Sequence, residues 1–495
     1  MKYISTRGGS APVSSMEAIK RGLAPDGGLY MPTELPALSE RDFDRLVGMN
    51  YPERAADILA RFLDDYPFDE LLADCRAAYT EEKFPGGPAP LVRLDEKTHL
   101  LELWHGPTAA FKDMALQIMP RLLSRALVHT GEDKEALILV ATSGDTGKAA
   151  LEGYRDVKGV RILVFYPEDG VSRVQKLQMA TQLGENVAVA AIRGNFDDAQ
   201  TGVKQIFADP AIAAKLAEKK IFLSSANSIN WGRLAPQIVY YVSAYCDLLK
   251  NGVLKKDESF DVTVPTGNFG NLFAAFLARG MGVPIQKFVC ASNANNVLTE
   301  FLVTGRYDRN RPFHTTISPS MDILISSNLE RLLFLLSDAE TTASLMKELN
   351  ATGAYTVPAA LKEKLDALFV GFSSDDSETA AEIAAVYSDR KKLIDTHTAV
   401  AVRAARMTAA GEKCPMVVVS TASPYKFAAD VLSSLTKRPT EDPLAALDEL
   451  EKLTGTPIPY PLAGIGSRKI RFERVIDSAA MADEVLAFAA KPIKR

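Results

Sequence analysis

The sequence predicts an α/β protein whose core is a parallel β-sheet with helices on both faces. One pattern recurs from Leu100 onward: a short apolar run, a turn rich in Gly, Ser, Thr or Asn, and then a helical repeat. Apolar strands that alternate with helices are typical of a parallel sheet covered on both sides. The chain has 495 residues, 47% of them hydrophobic. This length predicts about two or three domains rather than one compact core.

Five apolar runs are the predicted strands of this sheet, and each leads into a turn. The runs are residues 136–141, 160–165, 187–192, 260–264 and 416–419. Helical periodicity begins near Val171 after the second run and near Phe196 after the third. After the fourth run it covers the residues up to Arg279.

Three other regions depart from this pattern. Residues 1–95 have apolar side chains at helical spacing, and the Pro- and Gly-rich residues 83–90 mark a boundary, because they suit neither a helix interior nor a central strand. A helical insertion is expected at about residues 320–390. Its predicted helices are residues 329–336, 339–349 and 359–368. The tail, residues 436–495, is polar and interrupted by prolines, so we expect it to wrap the body in extended form.

Composition argues against several classes of function. The formal net charge is −5 and basic residues occur in runs of at most three, so nucleic acid is not expected as the main partner. No stretch approaches the ~20 apolar residues that span a bilayer, and we expect no membrane association. The four cysteines and five histidines are scattered. This predicts no metal site, no disulfides and a reducing, cytoplasmic compartment.

Two glycine-containing turns are candidate anion sites. Residues 267–271, Gly-Asn-Phe-Gly-Asn, lie between a strand and a helix, where backbone N–H groups and the helix dipole favour a phosphate. A plain strand-to-helix turn is the alternative. Residues 142–147, Thr-Ser-Gly-Asp-Thr-Gly, occupy an equivalent place and suit a carboxylate or phosphate. Helix capping by Ser143, Asp145 or Thr146 explains this second turn equally well.

A lysine in an apolar setting is the candidate nucleophile. Lys112 follows Phe111 in the segment His-Gly-Pro-Thr-Ala-Ala-Phe-Lys-Asp, residues 105–113. A surface position is the ordinary expectation for a lysine. A desolvated lysine, however, loses its proton more easily and can form a Schiff base.

Residues 105–113, 142–147 and 267–271, in this order along the chain, resemble the threonine synthase family of pyridoxal-phosphate enzymes. Further segments with the same resemblance are residues 3–8, 23–29, 225–231, 292–296 and 318–322. The resemblance implies the tryptophan synthase β-like fold, also called fold type II. A large cofactor-binding α/β domain would comprise residues 96–135 and 245–435, including the helical insertion. A small α/β subdomain would comprise residues 136–244.

The resemblance also implies which residues hold pyridoxal phosphate. Lys112 would form the Schiff base, and Thr421 would meet the pyridine nitrogen. The implied cofactor-binding residues are Lys112, Phe111, Gly267, Asn268, Phe269, Gly270, Asn271 and Thr421. Members of the family often have Asp at the position of Asn271. A neutral hydroxyl such as that of Thr421 does not force protonation of the ring, which tunes its electron withdrawal.

The implied substrate-binding residues form two groups. Ser143, Gly144, Asp145 and Thr146 would face the substrate carboxylate, and Asn227, Ser228, Asn230 and Arg233 would bind its phosphate. A guanidinium matches phosphate in a bidentate manner, although a surface ion pair is the simpler explanation for a lone Arg233. An ionised Asp145 would repel the cofactor's ring hydroxyl. We therefore expect Asp145 to cap its helix or to be protonated.

The implied activity is the conversion of O-phosphohomoserine and water to threonine and phosphate, by a monomer or homodimer. A phospho-lyase that releases 2-oxobutyrate, or a serine or threonine dehydratase, would share Lys112 and both glycine turns. The segment 227–231 and Arg233 favour a phosphorylated substrate. A protein that binds a phosphate ligand without catalysis is the alternative from another functional class.

Overall fold

The computed structural model describes residues 1–142, 144–169, 171–408, 414–440 and 442–492. In chain order the strands are β1 Tyr3–Ser5, β2 Tyr30–Pro32, β3 Leu91–Arg93, β4 Thr98–Glu102, β5 Glu135–Ala141, β6 Val160–Pro167, β7 Val187–Arg193, β8 Ile221–Ser224, β9 Phe260–Pro265, β10 Ile285–Ser292, β11 Arg306–Asp308, β12 Ala354–Thr356, β13 Phe369–Ser373, β14 Met416–Ser420 and β15 Val475–Asp477.

The α-helices in the first half of the chain are α1 Ser15–Arg21, α2 Glu40–Val47, α3 Tyr51–Phe62, α4 Phe68–Ala78, α5 Asp113–Leu116, α6 Met119–His129, α7 Asp145–Tyr154, α8 Arg173–Ala180, α9 Phe196–Ala208, α10 Pro210–Glu218 and α11 Trp231–Lys250. Those in the second half are α12 Gly270–Gly280, α13 Val297–Thr304, α14 Leu329–Leu336, α15 Ala339–Thr352, α16 Ala359–Leu368, α17 Asp376–Arg390, α18 Thr396–Thr408, α19 Ala428–Thr436, α20 Ala445–Thr454 and α21 Met481–Ala490.

Two sheets form the centre of the described structure. The larger has the order β13-β10-β9-β14-β4-β3, and its pairs are parallel except β3 with β4. The smaller has the order β15-β7-β6-β5-β8, with parallel pairs throughout. The five strands predicted from apolar runs are β5, β6, β7, β9 and β14. The predicted α/β class with parallel sheets is confirmed.

The N-terminal region is mostly helical, as predicted. Helices α2 and α3 begin at capping boxes, in which Ser39 pairs with Asp42 and Asn50 pairs with Glu53. Reciprocal bonds of this kind satisfy N–H groups that a helix start otherwise leaves without a partner. A short antiparallel pair, β1 with β2, adds strand content that the helical periodicity did not indicate.

The region around residues 320–390 contains the three predicted helices as α14, α15 and α16, and two strands that were not predicted. Strand β12 pairs with β11, and strand β13 pairs in parallel with β10 and forms an edge of the larger sheet. Residues 457–461 of the tail lie in no helix or strand, but the tail also contains regular elements that were not predicted. Strand β15 pairs with β7 at an edge of the smaller sheet. Met481 and Val485 of α21 are buried in the same apolar cluster as Leu163 of β6.

Four loops leave the carboxyl ends of parallel strands and converge. They follow β4, β9 and β14 of the larger sheet and β5 of the smaller sheet. In open α/β sheets this edge is where ligands bind. Helix α7 packs closely against the end of α5. A Cβ on Gly153 would come within 1.9 Å of the Leu116 carbonyl oxygen, so this contact requires glycine.

No helix in the described ranges is long and apolar enough to cross a membrane.

Candidate active site

Lys112 lies just before α5, on the loop that follows β4. This loop is fixed to the loop after β14 by backbone hydrogen bonds. The Phe111 N–H donates to the Thr421 carbonyl at 2.8 Å, and the Ser423 N–H donates to the Ala109 carbonyl at 3.0 Å. The structure therefore brings Lys112, Phe111 and Thr421 together, although more than 300 residues separate the two segments in sequence.

The Lys112 amine lies beside polar groups of two other segments and the ring of its neighbour Phe111. Its Nζ lies 3.4 Å from the Ser320 hydroxyl, 3.8 Å from a carboxylate oxygen of Asp145 and 5.1 Å from the centre of the Phe111 ring. Burial lowers the pKa of Lys112 to about 8, with Asp145 opposing that shift and Lys426 adding to it. A substantial fraction of this amine is uncharged near neutral pH, and the uncharged amine is the nucleophilic form.

Asp145 is an ionised carboxylate held between two lysines. Its Oδ1 lies 3.0 Å from Nζ of Lys426 and accepts a 2.7 Å hydrogen bond from Gln175, while its Oδ2 accepts from Ser320 at 3.3 Å. Burial alone acts to raise the pKa of Asp145, but Lys426 and Lys112 outweigh it and hold the pKa well below its usual range. The expectation that Asp145 is protonated is therefore wrong.

The N-terminus of α7 is capped by a residue that was not expected to cap it. The Thr142 hydroxyl accepts from the N–H groups of Gly144 and Gly147, at 3.0 and 2.9 Å. Gly144 is the N-cap residue, at φ 139, a conformation that side chains disfavour. Capping by Asp145 or Thr146 is thus wrong, because Thr142 does it. Ser143 lies outside the described residues.

The turn after β9 has the form of an anion-binding loop. Phe269 is the N-cap residue of α12, in the left-handed region at φ 63, and no side chain caps this helix. The N–H groups of the first helical turn, starting at Gly270, are consequently directed to the site with the helix dipole behind them. A Cβ on Gly267 would lie 2.8 Å from the Ser320 carbonyl oxygen, so the close approach of these two segments requires glycine.

Neighbouring polar residues fix this loop from the other side. The Ser326 hydroxyl donates to the Gly267 carbonyl at 2.8 Å, and Asn328 donates to the Asn268 carbonyl through both its backbone and its side chain, at 3.1 Å each. The Asn268 side chain itself is exposed. The loop carbonyls are therefore occupied within the chain, which leaves the N–H side for a ligand.

Asn271, the second residue of α12, has a side-chain donor without a partner among the described residues. Its side-chain oxygen accepts from the hydroxyls of Tyr240 and Tyr241, at 2.6 Å each. Its side-chain nitrogen is buried and has no hydrogen-bond partner among the described residues. Buried amide donors are rarely left unsatisfied in native structures, so this nitrogen marks a place for an acceptor from a ligand.

Arg233, near the start of α11, is a buried cation without a carboxylate partner in the described part of the chain. The residue is 3% exposed, its Nη1 donates to the Ala226 carbonyl at 2.6 Å, and its Nε has no partner there. Burial lowers the pKa of Arg233 to about 10. The buried hydroxyl of Tyr154, which influences the same guanidinium, also lacks a partner among the described residues. An anion next to Arg233 would provide a hydrogen-bond partner for both the guanidinium and the Tyr154 hydroxyl.

The other three residues predicted to bind the substrate phosphate differ in availability. Asn230 is the N-cap of α11, and both its side-chain polar atoms are engaged, with the Gly232 N–H at 2.8 Å and the Ile19 carbonyl at 2.9 Å. The Asn230 side chain is thus engaged in capping, and its contact with the phosphate stays a prediction. Ser228 is half-buried and Asn227 is exposed. Both remain candidates beside Arg233.

Comparison with protein families matches three adjoining stretches of the chain. The family described as "Threonine synthase N terminus" matches residues 2–79, "Pyridoxal-phosphate dependent enzyme" matches residues 83–422, and "Threonine synthase, C-terminal" matches residues 398–484. The chain belongs to the threonine synthase family. The predicted family, its cofactor and its fold are confirmed.

Individual members of the threonine synthase family support this assignment. Threonine synthase of Pseudomonas aeruginosa is 41% identical over 433 residues, which are 86% of this chain and 89% of that protein. Threonine synthase-like 1 of Homo sapiens is 42% identical over 432 residues, which are 85% of this chain but only 58% of that protein's length. The crystal structure of threonine synthase from Brucella melitensis with bound pyridoxal phosphate has a TM-score of 0.88 and 36% identity, and the match covers 99% of this chain and 100% of that one.

The residues present fit the cofactor of the threonine synthase family. Pyridoxal phosphate has an aldehyde, which requires an uncharged amine such as that of Lys112. It also has a phosphate, which the uncapped N-terminus of α12 and the unsatisfied nitrogen of Asn271 can accept. Aldehyde and phosphate would thus meet matching groups on loops that leave the same sheet edge.

Two residues that contact the Lys112–Asp145 pair were not predicted. Lys426 follows Tyr425 and precedes Phe427, which is the same kind of setting that singled out Lys112 after Phe111. That signal in the sequence could have identified it. Ser320 carries no comparable signal, since its importance comes from the close approach of the segment around residue 320 to Gly267.

Proposed function

We propose that the chain is a threonine synthase, which converts O-phospho-L-homoserine and water to L-threonine and phosphate with pyridoxal phosphate bound at Lys112. The observation that carries this proposal is Arg233. It offers a buried, unpaired cation in addition to the loop at α12, so the region has places for two phosphates. A phosphorylated substrate bound beside a phosphorylated cofactor needs both.

For the cofactor, Lys112 provides the covalent link and residues 267–271 hold the phosphate. Phe111 packs beside the amine, and Thr421 meets the ring nitrogen with a neutral hydroxyl. When bound, pyridoxal phosphate withdraws electrons from the α-carbon of the attached amino acid. The support for this arrangement is that Phe111 and Thr421 share a 2.8 Å backbone hydrogen bond, which places the lysine and the Thr421 backbone on one rigid unit.

For the substrate, the N-terminus of α7 receives the carboxylate through Thr146 together with Ser143, next to Gly144, whose N–H is already held by Thr142. Arg233, with Ser228 and Asn227, receives the phosphate. The Lys112 amine would remove the α-proton of the bound substrate, since its lowered pKa leaves it partly uncharged at neutral pH. Loss of a β-proton would accompany the departure of phosphate from the γ-carbon. Protonation at the γ-carbon, addition of water at the β-carbon and return of a proton to the α-carbon would then give threonine and phosphate.

Product analysis tests the proposal and separates it from its alternatives. The chain is incubated with pyridoxal phosphate and O-phosphohomoserine, and amino acids, phosphate and keto acids are measured. Threonine and phosphate in equal amounts are the expected result. Equal amounts of 2-oxobutyrate and phosphate would identify a phospho-lyase instead, and turnover of serine or threonine alone would identify a dehydratase. Tight binding of O-phosphohomoserine without any product would identify a protein that binds a phosphate ligand and does not catalyse a reaction.

We also propose that the chain works as a monomer or homodimer in a reducing compartment such as the cytoplasm, without nucleic acid or membrane partners. The thiols of Cys75, Cys246 and Cys290 are buried and form no disulfide. Burial raises the pKa of both Cys246 and Cys290 to about 12, so these thiols are unreactive. Light scattering of the purified chain measures the assembly state.

A further inference from the structure

Lys426 has no solvent exposure, and its ammonium group joins two parts of the site. It lies in the short 3₁₀ segment Pro424–Phe427 that follows β14. Its Nζ donates to the Thr108 carbonyl at 2.8 Å and lies 3.0 Å from Oδ1 of Asp145, and its side chain is 0% exposed. One of its partners therefore belongs to the Lys112 loop and the other to the first turn of α7.

The charged groups around the Lys112 amine come from four segments. Asp145 on α7 favours its protonated form, whereas Lys426 after β14 and Arg233 on α11 disfavour it. Asp113 on α5 has a smaller effect, because its carboxylate accepts the N–H and hydroxyl of Thr108, at 2.8 Å each. Burial raises the pKa of Asp113 to about 6. Asp145 and Lys426 thus have the largest electrostatic effects on the amine among these charged side chains.

A fifth segment contributes an uncharged contact. The Ser320 N–H donates to Nε2 of His397 at 3.1 Å, and Nδ1 of the same ring lies 2.7 Å from Asp395. An imidazole that accepts at Nε2 and donates at Nδ1 is neutral. His397 therefore orients the Ser320 backbone, while the charge balance at the amine is set by Asp145 and Lys426.

We propose that Lys426 is a positioning residue for the reaction: it neutralises Asp145 in place, so that the Lys112 amine stays reactive and the N-terminus of α7 can receive an anionic substrate. Without Lys426, the Asp145 carboxylate would favour the protonated, unreactive form of Lys112. The same carboxylate would also repel the substrate carboxylate at the first turn of α7. The proposal rests on the proposed role of Lys112, but not on the identity of the substrate.

The test measures the ionisation of Lys112 directly, in the full-length, cofactor-free chain. Trace acetic anhydride labels uncharged amines, and mass spectrometry of the Lys112 peptide from pH 6 to 11 gives the midpoint of its titration. The native chain should give a midpoint near pH 8. Lys426→Met should raise it by about one to three pH units, because a cation is lost and an anion is released. Lys426→Arg should keep it within about half a unit of the native value, since the charge is retained.

Two variants that remove the Asp145 charge distinguish an electrostatic effect of Lys426 from an effect of loosened packing. Asp145→Asn should lower the midpoint, because the anion is lost while Lys426 remains. In the double variant, Lys426→Met with Asp145→Asn, both charges are absent, and the midpoint should return to within about one unit of the native value. These two variants decide the question even if Lys426→Met alone does not fold, which circular dichroism shows.

Two results would overturn the proposal. A double variant with a midpoint more than about one unit above the native value would mean that losing Lys426 merely opens the site to water. An unchanged midpoint in folded Lys426→Met would mean that Lys426 has no influence on the amine. Neither result depends on which product the enzyme makes, so a failure of the proposed reaction and a failure of this inference remain distinguishable.

Discussion

Replacing Arg233 with methionine should make the ligand-free protein at least as stable, although the side chain is large and buried. Burial lowers the pKa of Arg233 from 12.5 to about 10, which corresponds to about 3 kcal/mol by which folding disfavours the charged form. The substitution also removes the hydrogen bond to the Ala226 carbonyl, worth about 1–2 kcal/mol. The free energy of unfolding should therefore rise by about 1–2 kcal/mol, which urea denaturation measures.

The same substitution should severely impair turnover of the phosphorylated substrate. Two charge-assisted hydrogen bonds from a guanidinium to phosphate contribute about 3–5 kcal/mol, which lowers kcat/KM by about 10²- to 10³-fold or more. Cofactor uptake should stay near that of the native chain, because the proposed cofactor phosphate loop lies at α12. Steady-state rates with O-phosphohomoserine and titration with pyridoxal phosphate measure the two effects separately.

Arg331 provides the matched control. It is equally buried, but its guanidinium donates to the carbonyls of Tyr30 and Ile229 and to the Asn328 side chain. Burial lowers the pKa of Arg331 to about 9, so the substitution removes a cost of about 5 kcal/mol. It also loses four hydrogen bonds of about 2 kcal/mol each and leaves their acceptors buried, so Arg331→Met should destabilise the chain by about 3 kcal/mol. If Arg233→Met behaves like this control, losing stability while kcat/KM is maintained, then Arg233 is a structural residue and the second phosphate site does not exist.

Three further predictions concern the cofactor. Lys112→Ala should abolish turnover and the pyridoxyl label that borohydride leaves on this peptide, with an unchanged circular dichroism spectrum; a label on another peptide contradicts the assignment. The rate of cofactor attachment should rise about tenfold per pH unit up to about pH 8 and then level off, because only the uncharged Lys112 amine attacks; a flat rate between pH 6 and 9 refutes this. Gly267→Ala should weaken cofactor binding about tenfold or more, measured by titration, because its methyl would lie 2.8 Å from the Ser320 carbonyl oxygen; native affinity would show that the two segments can separate freely.

The sequence predicted five strands from mostly apolar runs, namely β5, β6, β7, β9 and β14, since both faces of a central parallel strand are covered. Strands β4 and β10 also lie inside the larger sheet but were missed, because polar side chains such as His99 and Lys287 interrupt them. Several other missed strands lie at edges or are very short. Strand β13 is an edge strand of the larger sheet. Strand β15 has only three residues, and its partner β7 lies far from it in the sequence. Local periodicity cannot indicate such a partner.

The candidate site was predictable as a set of loops but not as a network of charges. Lys112 and residues 267–271 carry local signals, an apolar neighbourhood and a glycine turn, and the structure brings both to one sheet edge. The state of Asp145 depends on Lys426, which is 281 residues further along the chain. The engagement of Asn230 depends likewise on the carbonyl of Ile19. Contacts over such separations exist only once the chain has folded.

The position of β15 has a consequence for biosynthesis. Because this strand covers the free edge of β7, the smaller sheet lacks its outermost strand until residue 477 has been synthesised. An uncovered strand edge readily pairs with other chains. Nascent chains and variants truncated before β15 should therefore be the most prone to aggregate and to engage chaperones, because the strand that covers this edge follows the other four strands of its sheet in the sequence.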